Sequence, residues 1–207
     1  MHIPSSTCSS PPRSITSSQI WAIEAVTPAG VNEVVTFINN ARHDMFPTLH
    51  TQLTDDVARW VRSGTFLAAK DTASHKLIAT IGFVPYDHRF PSLDYQDVHT
   101  VEVVRLYVLP RYRRGGLGAR LFEELRGRAE EQGVRRLYLH THPFLPGAVG
   151  FWEKRGFGVA GVEEDEVWRT THMEMAEVMA VDNRLGTWPV CIFTLPLLPN
   201  LESTLGE

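Results

Sequence analysis

The chain has 207 residues, 43% of them apolar, and a formal net charge of −4. This length suits one well-packed domain, and the negative charge argues against nucleic-acid binding by bulk electrostatics. The two cysteines, Cys8 and Cys191, form neither a disulfide framework nor a metal set, which favours a reducing compartment, and the cytoplasm is predicted. No apolar run approaches the roughly 20 residues of a membrane span, and no signal peptide is evident, so no membrane partner is expected.

Residues 1–18 are rich in serine, threonine and proline and have few side chains to bury, so they are predicted to be a disordered tail. Alternating apolar residues then predict a first strand over 19–26. Apolar residues at helical spacing predict one helix over 31–42 and a shorter one over 54–64.

Two strands follow, over 65–70 and 77–84, and the polar turn between them is typical of a hairpin. The next loop, residues 85–100, contains three carboxylates and three aromatic residues: Asp87, Asp94, Asp97, Tyr86, Phe90 and Tyr95. Two interpretations of this loop stay open. The rings could pack down on the sheet beneath a solvated loop, or the carboxylates and rings together could attract and hold an ammonium group.

The stretch from 101 to 133 contains the clearest pattern in the chain. Residues 101–108 are apolar and largely β-branched, which predicts a buried strand that ends at Pro110. A basic, glycine-rich loop comes next, and apolar residues at helical spacing then predict a helix that Gly133 ends. Backbone amides at a helix N-terminus, beside arginine side chains, predict an anion site suited to a pyrophosphate.

Three known motifs compete for this loop, beside the plainer alternative of a glycine-rich turn before a helix. A P-loop would end in Gly-Lys-Ser/Thr, and a dinucleotide fingerprint would need a small residue where Leu121 stands. The third motif, Gln/Arg-x-x-Gly-x-Gly/Ala, is matched by residues 113–118, Arg-Arg-Gly-Gly-Leu-Gly. Downstream, residues 148–157 read Ala-Val-Gly-Phe-Trp-Glu-Lys-Arg-Gly-Phe. In their order and separation, the two motifs resemble the signatures of the GNAT superfamily of N-acyltransferases.

The resemblance covers roughly residues 19–176 and implies an α/β domain. Its mixed, mostly antiparallel twisted sheet would be flanked by helices and splayed between the central and fifth strands. The fifth strand is expected over 135–142, and a last hairpin over 159–163 and 167–175. Residues 177–207 exceed the domain and are partly apolar, so they are predicted to pack on the domain or on a partner subunit. A homodimer is expected by analogy with the family.

The resemblance also implies acetyl-CoA as co-substrate, bound in the wedge where the strands part. Main-chain amides of Leu106 and Val108 would hold the pantetheine arm and the thioester carbonyl, and Tyr107 lies between them. The loop and the first turn of the helix would cradle the pyrophosphate, with Arg113, Arg114, Gly115, Gly116, Gly118 and Ala119. Phe151, from the second motif, is expected to flank the co-substrate.

An alkyl ammonium must lose a proton before it can attack a thioester, so a base is needed near the thioester. Glu102 stands where members of the family often have a catalytic glutamate on the central strand, and we predict it as that base. Simple alternation along a strand puts Glu102 on the same face as Val104, Leu106 and Val108. The alternative is a structural glutamate that pairs with Arg105 or another neighbour.

The second motif usually contains a tyrosine that protonates the departing thiolate, but Trp152 stands at that position, and an indole N–H does not give up its proton. The role would then be lost or pass to another group: Tyr107, Tyr138, His140, His142 or water. His140 and His142 share a face of the fifth strand and could meet the acceptor, with His142 predicted as catalytic, or they could form a structural pair. No third ligand is evident for a zinc site, so no metal is predicted.

These features predict an N-acetyltransferase that moves an acetyl group from acetyl-CoA to a primary amine by direct attack in a ternary complex. A small-molecule amine is the predicted acceptor, and a peptide N-terminus or a lysine side chain stays open. The alternative from another class is a non-catalytic acyl-CoA-binding protein, which Trp152 in place of tyrosine would suit.

Overall fold

The computed structural model describes residues 20–45, 54–63, 65–96, 98–164, 168–176 and 178. The predicted tail and nearly all of the predicted C-terminal extension lie outside these residues, and so do Cys8, Cys191 and Asp97. The expectations for those segments therefore stay predictions.

The strands and helices of the described residues follow the predicted order. The strands are β1 (Trp21–Ala25), β2 (Thr65–Asp71), β3 (Leu77–Pro85), β4 (Thr100–Val108), β5 (Arg136–Thr141), β6 (Gly158–Val162) and β7 (Thr171–Ala176). The helices are α1 (Val31–Met45), α2 (Thr54–Ser63), α3 (Leu117–Glu131) and α4 (Ala148–Glu153), with short 3-10 turns at Pro28–Gly30 and Pro110–Tyr112. The predicted boundaries differ from these by a few residues at element ends, where hydrogen bonding is incomplete.

The seven strands form one sheet in the order β1-β2-β3-β4-β5-β7-β6. Each neighbouring pair is antiparallel except β4 and β5, which run parallel. Within these described strands, β4 and β5 pair at three positions, the last of which joins Glu102 to Tyr138. The mixed, mostly antiparallel fold and its splay between the central and fifth strands are therefore confirmed.

Helices cover both faces of the sheet because each has one apolar stripe to bury. The stripe of α3 consists of Leu117, Leu121, Phe122, Leu125 and Ala129. The stripe of α1, on the opposite face, consists of Val34, Val35, Ile38 and Ala41. Among the described helices, none is both long and apolar enough to cross a membrane.

A β-bulge interrupts β4. Thr80 of β3 pairs with Tyr107 and Gly82 pairs with Val104, so two residues of β4, Arg105 and Leu106, lie opposite the single residue between them. Arg105 has a φ of +56°, in the left-handed region. The buried Thr80 hydroxyl donates a hydrogen bond of 3.0 Å to the Arg105 carbonyl, which ties the bulge to β3.

The bulge corrects the expected alternation along β4. Before it, Val104 packs in the apolar cluster beneath α1, on the face that Glu102 shares by alternation. After it, Leu106 and Val108 pack in the cluster beneath α3, on the opposite face. The extra residue shifts the period-2 pattern by one, so Glu102 shares a face with Val104 but not with Leu106 or Val108.

This geometry predicts the order of stability of two variants at position 105. Arg105→Gly and Arg105→Ala both remove the guanidinium and its contact with the Trp60 ring, so the difference between them isolates the backbone. At a left-handed φ we expect the glycine variant to be about 1 kcal/mol more stable than the alanine variant. Urea denaturation measures the difference, and a regular strand would reverse its sign, since glycine weakens strands.

Candidate active site

An opening begins between β4 and β5 directly after the Glu102–Tyr138 pair. The Arg105 carbonyl points toward β3, where it accepts the threonine hydrogen bond. The described chain has no cis peptide bonds, and a trans peptide directs its N–H opposite to its C=O. The N–H of Leu106 therefore points away from β3 and toward the opening.

Val108 also presents main-chain groups to the opening. The next residue, Leu109, donates its N–H to the Ile78 carbonyl of β3 at 2.9 Å. Because main-chain groups alternate in direction along a strand, those of Val108 point the other way. Consistent with this, the Val108 carbonyl accepts a hydrogen bond of 2.8 Å from the Arg113 side chain rather than from a neighbouring strand.

The N-terminus of α3 lies just beyond this end of β4. Gly116 precedes the helix with a φ of +83°, a conformation that glycine adopts at little cost. Amides of the first helical turn, which include those of Gly118 and Ala119, have no partner within the helix because of helix geometry. Arg114 and Gly115 lie exposed beside them. Free amides, the helix dipole and a cation together suit an anion such as pyrophosphate.

Arg113 has a structural contact that the sequence pattern did not reveal. Besides its hydrogen bond to β4, its guanidinium lies 5.4 Å from the centre of the Tyr107 ring. Tyr107 itself packs edge-on against Phe37 of α1, at 5.7 Å between ring centres, so its ring lies on the α1 face. A third contact, from the Tyr112 hydroxyl to Asp71 at 2.7 Å, ties the same loop to the β2–β3 hairpin.

The two adjacent aromatic residues of the second motif lie in different places: Phe151 beside the glycine-rich loop and Trp152 in the core. Phe151 is half-buried, and its ring would lie 3.5 Å from a Cβ added at Gly118, next to the free amides of the first turn of α3. Trp152 is 7% exposed and packs edge-on against Phe122 and Phe157, at 5.6 and 5.2 Å. Packing in the core thus explains an indole at this position, and its role toward a leaving thiolate stays a prediction.

Glu102 forms a buried ion pair that the sequence did not predict. Arg89, in the loop between β3 and β4, donates from Nη1 to Oε2 at 2.8 Å and from Nη2 to Oε1 at 2.6 Å. Burial alone would raise the pKa of Glu102, but its contacts with His140 and Arg89 outweigh burial and lower the pKa to about 2. Glu102 is therefore ionised near neutral pH. The alternative interpretation, a glutamate that pairs with a neighbour, is therefore realised, with Arg89 and not with Arg105.

His140 of β5 and His142, just after that strand, lie on the opposite side of the opening. His140 Nδ1 is 3.0 Å from Glu102 Oε1. His142 follows the last residue of β5, and its ring centre lies 5.7 Å from that of His140. The His142 ring also stacks on Phe144 at 5.0 Å and contacts Trp168 at 5.4 Å. The structure thus brings Glu102 and His140 into contact, with His142 adjacent.

The aromatic residues of the loop before β4 pack down on the sheet, as the first interpretation of that loop predicts. Tyr86 and Tyr95 are 6% and 4% exposed, and both rings contact Tyr138 of β5. Asp87, which the second interpretation assigned to an ammonium group, is bound to Arg89 at 2.8 Å. The aromatic rings of this loop therefore cover the sheet, while most of its other residues are exposed.

A buried chain of polar groups lies behind these rings. The Tyr138 hydroxyl is 2.7 Å from His172 Nδ1, and His172 Nε2 is 3.3 Å from a Glu163 carboxylate oxygen. Burial lowers the pKa of His172, and Glu163 opposes that effect without cancelling it. A neutral imidazole can accept from the Tyr138 hydroxyl at Nδ1 and carry its proton on Nε2, which lies near Glu163 without an aligned hydrogen bond. Across the described residues, no group of three or more His, Cys, Asp or Glu side chains is arranged to hold a metal ion.

Comparisons with known proteins agree with this geometry. A family model described as the Acetyltransferase (GNAT) family matches residues 35–157. A curated protein, "Probable N-acetyltransferase 14" of Xenopus tropicalis, is 35% identical over 66 residues. That match covers 32% of this chain and 32% of the relative, so the chain accounts for about a third of the relative's length.

Solved structures with the same fold include several acetyltransferases. A GNAT-family acetyltransferase from Staphylococcus aureus aligns with a TM-score of 0.59 at 16% identity, over 75% of this chain and 98% of that one. PaiA N-acetyltransferase from Thermoplasma acidophilum, in complex with coenzyme A, gives 0.54 at 16% identity, over 75% and 98%. The ribosomal-protein-S18-alanine N-acetyltransferase of Escherichia coli gives 0.57 at 16% identity, over 79% and 97%. At such low identity these likenesses show the fold alone.

The buried histidine predicts how stability depends on pH. Since the pKa of His172 is lower in the folded state, the unfolded chain binds more protons below about pH 6.5, and acid should destabilise the fold. His172→Asn keeps an acceptor for the Tyr138 hydroxyl but cannot be protonated. We expect its melting temperature to fall less than that of the wild type between about pH 7.5 and about pH 5.5.

The matched control is His75→Asn, at an exposed turn position, which should keep the wild-type dependence on pH. Thermal denaturation of the wild type and the two variants at both pH values measures these changes in melting temperature. An unchanged slope in His172→Asn would contradict a buried, neutral histidine.

Proposed function

Because the chain belongs to the Acetyltransferase (GNAT) family, we propose that it transfers the acetyl group of acetyl-CoA to a small primary amine. The observation that carries the proposal is the geometry of β4. Its pairing with β5 ends at Glu102, and the bulge then directs the N–H of Leu106 into the space that opens. Main-chain amides that face such a cleft suit the extended pantetheine arm of acetyl-CoA, which needs hydrogen-bond partners along its length.

The residues along the cleft fit the parts of acetyl-CoA. Main-chain groups of Leu106 and Val108 would bind the pantetheine arm, and the α3 N-terminus with Arg114 would bind the pyrophosphate. Phe151 would lie beside the arm at the rim of the loop. Acetyl-CoA supplies an activated acyl group, and the protein supplies its orientation.

The proposed reaction needs a stabilised oxyanion. When an amine attacks the thioester carbon, negative charge develops on the carbonyl oxygen, and a preorganised N–H stabilises that charge by about 3–4 kcal/mol. The Leu106 N–H is the proposed donor, since the bulge frees it from the β3–β4 ladder. No covalent acyl-enzyme is needed, because the amine attacks the thioester directly.

Exposed aromatic faces support a small amine as the acceptor. Phe144 and Trp168 are each 44% exposed and adjoin His142 beyond the end of β5. The faces of such rings attract ammonium groups and also bind apolar substituents. A protein N-terminus, the acceptor in the name of the Escherichia coli neighbour, is the second candidate.

A thiol-release assay tests the activity. Wild-type protein is incubated with acetyl-CoA and either pooled small primary amines or peptides with free N-termini and lysines, and free CoA thiol is measured. We expect release that depends on the small amines. Release only with peptides would assign a protein acceptor, and binding of acetyl-CoA without any release would favour the non-catalytic alternative.

Two glycines that flank α3 provide a matched test of the proposed anion site. Gly116 and Gly133, at opposite ends of the helix, both have positive φ angles and open space where a Cβ would lie. Replacement of either by alanine should therefore cost a similar ~1–2 kcal/mol of stability. Only Gly116→Ala should also raise the KM for acetyl-CoA, by about tenfold, equivalent to about 1.4 kcal/mol. Equal KM values for the two variants would contradict the site.

A further inference from the structure

We propose that His140 accepts the proton that the acceptor amine loses, and that Glu102 and Arg89 hold the His140 ring in position. The inference rests on the proposed acetyl transfer and assigns its proton path. It changes the predicted role of Glu102 from the base itself to a positioning residue.

Both oxygens of the Glu102 carboxylate already have partners. Oε1 contacts both Arg89 Nη2, at 2.6 Å, and His140 Nδ1, at 3.0 Å, while Oε2 accepts from Arg89 Nη1 at 2.8 Å. The side chain is 5% exposed. A substrate proton could reach this carboxylate only if a buried, charge-assisted pair were broken, which is unfavourable.

Glu102 is also too weak a base for an alkyl ammonium. The pKa of Glu102 is lowered to about 2, whereas an alkyl ammonium has a pKa near 10.4, so proton transfer between them is strongly uphill. An imidazole is intrinsically a stronger base than a carboxylate, which makes it the better proton acceptor for a reaction near neutral pH. Because Glu102 has a low affinity for protons, it is a poor base, and it stays negatively charged beside His140.

His140 is located where it can reach a substrate in the opening. It lies two residues beyond Tyr138, the last residue of β5 that pairs with β4, and thus on the β5 side of the opening. Its Nδ1 is buried 3.0 Å from Glu102 Oε1, an ion-pair contact that is not aligned as a hydrogen bond, while the side chain as a whole is 33% exposed. The exposed area therefore belongs to the other atoms of the side chain, and Nε2 is the ring nitrogen that is not buried against Glu102.

The charged and titratable groups around the ring come from four elements. Glu102 of β4 and Arg89 of the preceding loop lie at its Nδ1 side. His142 lies just after the end of β5, and His172 of β7 is close enough to interact electrostatically with His140. Glu102 is the anion in contact with the ring, so it favours a proton on Nδ1 and leaves Nε2 as the acceptor.

Acetyl transfer begins when the acceptor R–NH3⁺ gives one proton to His140 Nε2 and becomes R–NH2. The amine lone pair forms a C–N bond to the thioester carbon, the C–S bond breaks, and the thiolate leaves with that electron pair. The second amine proton goes to the thiolate, and the imidazolium releases its proton to water. The products are the N-acetyl amine, CoA thiol and one proton.

His140→Asn is the decisive variant. The asparagine amide can donate to Glu102 from about the place of Nδ1, but it has no basic nitrogen. We expect kcat with an alkyl amine to fall about 10²- to 10⁴-fold, with the KM for acetyl-CoA unchanged. With a weakly basic analogue of that amine, such as the hydrazine or the arylamine, the loss should be at least about tenfold smaller, because the analogue is neutral without a base.

Several results would overturn the assignment. For His140→Asn, these are a kcat like that of the wild type or an equal loss of kcat with both amines. A third is a loss of kcat that depends on the amine in His142→Gln but not in His140→Asn. If His140→Asn does not fold, as judged by circular dichroism, the same amine comparison is made with His140→Gln. If the wild type itself releases no thiol with any amine, the proposed acetyl transfer fails, and the proton path fails with it.

The double variant separates a positioning glutamate from a base. Glu102→Gln should lower kcat with little change in the KM for acetyl-CoA, and its defect should also shrink with the weakly basic amine. Since Glu102 acts through His140, the double variant Glu102→Gln/His140→Asn should be no slower than His140→Asn alone. Losses that multiply would mean that Glu102 removes a proton independently.

Discussion

The bulge in β4 is the constraint on which the rest of the site depends. One extra residue at Arg105–Leu106, held by the Thr80 hydroxyl, shifts the period of the strand just where its pairing with β5 ends. Ladder hydrogen bonds would otherwise occupy the main chain on both sides. The bulge and the splay together leave polar main-chain groups facing a cleft, an arrangement that costs stability unless something else satisfies those groups.

The same shift divides the chemistry between the two faces of the sheet. On the α3 face are Leu106 and Val108, close to the helix N-terminus and its free amides. On the α1 face are Glu102 and His140, the ionisable groups, in contact with each other. A regular strand would have put all of these side chains on one face. The break places the main-chain groups near the α3 N-terminus and the ionisable side chains on different faces of the sheet.

Burial of the Glu102 carboxylate is acceptable only because its partners are in place. An isolated carboxylate in such a position would take up a proton, whereas the bidentate contact with Arg89 and the contact with His140 keep it ionised. The pair also fastens the loop before β4 to the sheet. Tyr86 and Tyr95 of that loop then cover the Tyr138 ring, so the loop is part of the core and not a free flap.

Local patterns in the sequence determined the elements of the fold, the glycine-rich loop before α3 and the aromatic motif, because helix periodicity, turn residues and glycine spacing act over a few neighbouring positions. Only the tertiary structure decided the faces of β4 and the partner of Glu102. The bulge depends on a threonine hydroxyl from another strand, and Arg89 stands 13 residues earlier in a loop without periodicity. Trp152 resembled a lost catalytic residue in the sequence, whereas in the fold three aromatic rings surround it. Contacts between distant segments arise from packing, which no local pattern encodes.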